Sequence, residues 1–131
     1  HIINKIKPAL LKKKIVIGDR FTDSTLAYQV YEKKVDINFI NNIHKKILSG
    51  VKPNIVFILK VSKRISRNRL KKRKTKNRYD NFAQSFYTKA QRSFIKLAKN
   101  RKNYFILNSS INDNSLEHKI FDVCAKYLNI K

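Results

Sequence analysis

Three short apolar runs, with helical patterns between them, restrict the fold of this chain more than any other feature. They lie at 15–18, 55–61 and 104–107. Each is rich in β-branched or aromatic residues and nearly continuous, the pattern of strands covered on both faces in a parallel sheet. Between them, residues 36–48 set Ile37, Ile40, Ile43, Ile47 and Leu48 on one helical face. That pattern stops at Ser49-Gly50, with Pro53 beyond, a helix-ending signal. Residues 79–99 repeat the period with a stripe of Phe82, Phe86, Ala90, Phe94 and Leu97 or Ala98, and a last helix is expected from Asn114-Ser115 to Leu128. Strands alternating with helices predict an α/β layered sheet with right-handed crossovers. A chain of 131 residues fits one domain with a real core, and two glycines and two prolines are too few for a flexible linker.

Charge points outward. Thirty-one basic residues against eight acidic ones give a net charge of +23, which attracts nucleic acid, anionic lipid or nucleotide phosphates. The abundance of Lys, Asn and Ile also fits compositional drift, which would leave much of this charge on solvated faces. The lone cysteine, Cys124, excludes an internal disulfide and reads as a buried structural thiol in an amphipathic helix. No apolar run approaches the ~20 residues that span a bilayer and no signal-peptide pattern is visible, so a cytoplasmic protein away from membranes is expected. His44 and His118 stand apart, with no Cys/His set for zinc.

The chemistry gathers after the first run. Asp19 and Arg20 follow it directly, at the rim where open α/β sheets take their ligands. The donor fork of Arg20 suits a phosphate; an ion pair with Asp19 or Asp23 is the alternative. Ser24 or Thr25 is expected to cap a helix starting near Leu26, which carries Tyr28 and Gln29. A basic segment at 63–78 follows the second run. It reads either as a lid over a nucleotide or as a solvated helix face open to polyanions.

The order of these pieces resembles the thymidylate kinase family. Asp19-Arg20-Phe21 with Ser24 to Gln29 is similar to the family's Asp-Arg-Tyr/Phe segment and the Ser-x-x-x-Tyr-Gln after it. Pro8-Ala9-Leu10, Gly50 to Asn54, Ile58 to Ser62, Arg69, Arg73, Asn77 to Asp80, Phe86-Tyr87, Phe94 to Ala98 and Leu107 to Ser110 follow in family order. The resemblance implies a three-layer P-loop kinase fold on a parallel sheet, with a lid at about 63–80. It implies transfer of the γ-phosphoryl group of ATP, with Mg²⁺, to dTMP. The roles it assigns are catalytic for Asp19, Arg20, Arg69, Arg73 and Arg78, and substrate-binding for Arg20, Ser24, Thr25, Tyr28 and Gln29. Asp19 would meet Mg²⁺ only through a bound water, with no direct metal ligand. Family partners are ATP, dTMP and a second copy in a homodimer, with no specific nucleic acid and no membrane. Ser24 and Thr25 as caps, and Tyr28 as a core residue, remain open beside these roles. Another nucleoside monophosphate kinase of this fold, or a small basic nucleic-acid-binding protein, is the alternative.

Departures accompany the match. No Gly-x-x-x-x-Gly-Lys-Ser/Thr loop occurs in the 131 residues; the resemblance places it before His1, making residues 1–131 a partial kinase domain. The family strand expected between the runs at 15–18 and 55–61 would be absent with it. Residues 1–131 alone are therefore expected to be poorly stable and inactive. Asn77, Lys60 and Asn54 stand where the family usually has Asp, and Val30 with Glu32-Lys33-Lys34 replaces a glycine-rich turn.

Overall fold

A strand exists only where a neighbour accepts its backbone hydrogen bonds, and two of the three apolar runs meet that condition. In the computed structural model, which describes residues 1–73, 84–99, 101–111 and 113–130, β1 (Val56–Lys60) and β2 (Tyr104–Asn108) pair in parallel. The register runs from Val56 opposite Tyr104 to Lys60 opposite Asn108. Parallel neighbours need a crossover connection, which here includes α4 (Lys63–Lys71) and α5 (Gln84–Ala98). The chain divides into two compact units, His1–Pro53 and Asn54–Lys131.

In the second unit α5 lies against both strands. It buries Ala90, Ser93, Leu97 and Ala98, spaced as one helical face, beside Ile58 of β1. The Ser93 hydroxyl donates to the Lys89 carbonyl at 3.1 Å, so the polar atom in this core is satisfied. Phe57 and Phe105, cross-strand partners, hold their ring centroids 5.7 Å apart. The helix α6 (Ser115–Leu128) follows β2, and the Tyr127 hydroxyl accepts from the Asn54 side-chain Nδ2 at 3.0 Å. Cys124 is half-buried, not enclosed as the sequence suggests. Leu59 and Ile106 also stay exposed, because a two-stranded sheet covers less of each strand than the wider sheet expected.

The first unit begins with a π-wound turn, Ile2–Ile6, that passes into α1 (Lys7–Leu11), with Pro8 in the first turn where its missing N–H costs nothing. The run at 15–18 is not a strand, which corrects the sequence expectation. The described residues supply it no ladder partner, and Ile15 and Ile17 are 67% and 93% exposed. Helix α2 (Thr22–Thr25) continues as a π-helix over Leu26–Glu32. It starts four residues earlier than expected, with extended Phe21 at the N-cap, and neither Ser24 nor Thr25 caps it. The Phe21 carbonyl already receives the Ser24 amide at 3.0 Å, which closes the first turn through the backbone. In α3 (Ile37–Leu48) the Asp36 carboxylate caps the Phe39 amide at 2.7 Å. Leu26, Ala27 and Ile40 are buried, whereas Ile37 and Ile47 of the expected stripe are exposed.

Candidate functional site

Backbone geometry singles out Arg20. Five described residues other than glycine have positive φ: Lys13, Arg20, Lys34, Ser49 and Asn129. Four of them follow directly on a helical segment, where a left-handed residue closes the last turn. Arg20, at φ 70°, precedes α2 and closes no helix. A bulky side chain there costs about 1–2 kcal/mol. Its guanidinium lies over the Tyr28 ring, 5.6 Å from the centroid.

Around it the first unit collects the other acceptor-side candidates. Asp19 and Arg20 are exposed; Ser24, Thr25, Tyr28 and Gln29 are half-buried on α2 and the π-helix. π-Turns are uncommon and recur at functional positions. Here the wider turn carries Tyr28 and Gln29, and the Gln29 carbonyl accepts from the Val35 amide at 3.0 Å. An exposed arginine in the same segment as hydroxyl-bearing residues has the chemistry to bind one end of a phosphate monoester.

The second unit holds the basic candidates. Ser62 caps α4 through the Ile65 amide, and the helix carries Lys63, Arg64, Arg67, Arg69 and Lys71 with no carboxylate. An open cavity of about 260 Å³ is lined by Val61, Ser66, Arg69, Leu70 and Arg73. Arg69 donates to the Ser109 carbonyl at 2.8 Å, so part of its fork is already engaged. Arg73 is exposed just beyond the helix, and Arg78 lies outside the described residues, as does part of the segment expected to form a lid at 63–80. Among the described residues no group of three or more His, Cys, Asp or Glu is gathered as for a metal.

The sequence reading missed the groups that hold α4 at its root. The Gln91 side-chain oxygen accepts from the Val61 amide at 2.9 Å, and the Ser110 hydroxyl accepts from the Ser62 amide at 3.0 Å. Gln91 sits one residue off the apolar stripe of α5, where a glutamine looks like a surface residue. Asp113 was also overlooked. The Ser115 hydroxyl, and then the Ser115 amide at 3.0 Å, donate to its carboxylate and hold its pKa below the ordinary value.

With this geometry described, comparison with known proteins decides the family. The family model for thymidylate kinase matches residues 1–120. The chain belongs to the thymidylate kinase family. A thymidylate kinase of Wolbachia pipientis wMel is 38% identical over 126 residues, 93% of this chain and 62% of that protein. One from a Sulfurihydrogenibium species is 33% identical over 120 residues, 92% of this chain and 58% of its own length. The crystal structure of thymidylate kinase from Ehrlichia chaffeensis matches with a TM-score of 0.69 at 27% identity, over 95% of this chain and 59% of that one. This family member thus spans about 60% of the length of the relatives it matches. The helices and small parallel sheet agree with an α/β kinase fold. No helix among the described residues is long and apolar enough to cross a membrane.

Proposed function

We propose that residues 19–29 form the acceptor half of a thymidylate kinase site, in which dTMP receives the γ-phosphoryl group of ATP. The observation that carries the reading is Arg20: exposed, held at φ 70°, and parked over Tyr28 at 5.6 Å. In this account the guanidinium leaves the ring to take the dTMP phosphate through two parallel N–H bonds. Ser24 and Thr25 contribute hydroxyls, Tyr28 meets the sugar and Gln29 the base. For Arg69, Arg73 and Arg78 the role that the family resemblance implies is to offset the spreading charge of the transferring group, as positioned cations do. Arg69 does so with the part of its fork not used on Ser109.

Asp19, beside Arg20, has the chemistry to meet Mg²⁺ through a bound water. Mg²⁺ keeps most of its waters and takes one or two carboxylates, and Asp19 offers one exposed carboxylate, suited to holding such a water. When bound with ATP, the ion supplies charge neutralisation at the phosphates. The three-layer P-loop fold, a homodimer and a cytoplasmic location belong to the same proposal. The 131 residues contain no phosphate-cradling glycine loop, so phosphoryl transfer by this chain alone is expected to be absent.

Calorimetry with dTMP tests the acceptor assignment. Arg20→Ala should weaken binding about 10- to 100-fold, the worth of a charge-assisted bidentate contact. Thymidine, which lacks the phosphate, should compete poorly. Equal affinity in parent and variant removes Arg20 from the site.

A further inference from the structure

We propose that Gln91 is a positioning residue that sets the direction of α4, with Ser110 as its second point of attachment. β1 ends at Lys60, and the next two amides have no strand to donate to. Gln91 of α5 takes the first, from Val61 at 2.9 Å, and Ser110 takes the second, from Ser62 at 3.0 Å. The Lys60 carbonyl receives both the Ser109 amide, at 2.8 Å, and the Ser109 hydroxyl, at 3.2 Å. Three consecutive backbone groups at the root of α4 are therefore gripped by side chains or backbone from α5 and the segment after β2. Arg69 closes the arrangement two turns along the helix through the Ser109 carbonyl.

Geometry explains why the root matters. A nine-residue helix is about 13 Å long, so a ten-degree swing at its base moves the far end by about 2 Å. Hydrogen bonds to a phosphate tolerate only a few tenths of an ångström. Ser110 and Ser109 belong to the segment after β2, whereas Gln91 reaches the root from α5, the helix that also carries the core. It couples the rigid part of the unit to the arm that bears Arg64, Arg67, Arg69 and Lys71. The inference rests on the reading that α4 serves bound phosphates, but the hydrogen bond itself can be tested without it.

Gln91 must present its oxygen, since the Val61 amide can only donate. Gln91→Glu keeps that acceptor; Gln91→Leu removes it at similar volume. Hydrogen exchange on the 131-residue chain should accelerate about 10- to 100-fold at Val61 and Ser62 and along α4 in Gln91→Leu, with α6 unchanged. Gln91→Glu should restore the parent rates. Should Gln91→Leu fail to fold, Ser110→Ala opens the same root without touching α5 and should accelerate exchange at Ser62. Unchanged exchange in Gln91→Leu, or in Ser110→Ala where that variant stands in, overturns the proposal, as does failure of Gln91→Glu to restore it. Binding of a fluorescent N-methylanthraniloyl-ATP, measured in parallel, should weaken in Gln91→Leu and recover in Gln91→Glu. A parent chain that does not bind this probe removes the nucleotide reading of α4, while the exchange rates still decide the role of Gln91.

Discussion

At the scale of single residues, conformation carries as much information as identity. Arg20 was legible in the sequence as a charged residue after an apolar run, but its positive φ was not, because nothing in Gly18-Asp19-Arg20-Phe21 favours a left-handed arginine. Tertiary context holds the strain, and the cation–π contact with Tyr28 shows where the side chain is directed. Asp113 is the other informative residue. Its carboxylate accepts from the Ser115 hydroxyl and amide, so it is most stabilising when ionised. Because its folded pKa is lowered, that contribution is present above the ordinary carboxylate pKa and is lost as pH falls through the folded value. The Ser115 amide resonance should therefore titrate with a midpoint below that of an unpaired aspartate. A midpoint at or above the ordinary value means that the turn before α6 is not held this way.

At the scale of elements, α3, α6 and two of the strands follow from local pattern, whereas α2 starts early and residues 79–83 of the helix expected at 79–99 lie outside the described residues. The β1 and β2 runs differ by at most one residue per end from the expected strands, and α3 and α6 start where Asp36 and Asn114-Ser115 suggest. The failure at 15–18 has a clear physical cause: apolar composition proposes a strand, but only a hydrogen-bonding neighbour makes one. Substitutions should separate the two cases. Ile17→Ser, at a position 93% exposed, should change stability by no more than about 0.5 kcal/mol. Ile58→Ala, in the buried centre of β1, should cost about 2–4 kcal/mol in denaturant unfolding. A loss on Ile17→Ser comparable to that of Ile58→Ala would mean that 15–18 is packed after all. The root of α4 was illegible for a different reason. Gln91 and Val61 are thirty residues apart, and no periodicity marks a side chain that serves one distant amide.

At the scale of the whole molecule, charge and family point in compatible directions. No carboxylate occurs between Asp36 and Asp80, and α4 is basic through most of its length. Such a chain repels itself and gathers anions, which favours phosphate ligands but does not choose among them. The proposal that the ligand is dTMP draws on the family match over residues 1–120 and on the geometry at Arg20. On the proposed reading the acceptor-side contacts all lie within residues 19–29, so they can be tested on this chain. The most direct measurement is a ¹H–¹⁵N NMR titration of the 131-residue chain with dTMP, at moderate salt, against inorganic phosphate. The account predicts saturable shifts concentrated at 19–29, larger for dTMP than for phosphate and lost in Arg20→Ala. Shifts confined to the lysines and arginines of α4, equal for dTMP and phosphate, would contradict it.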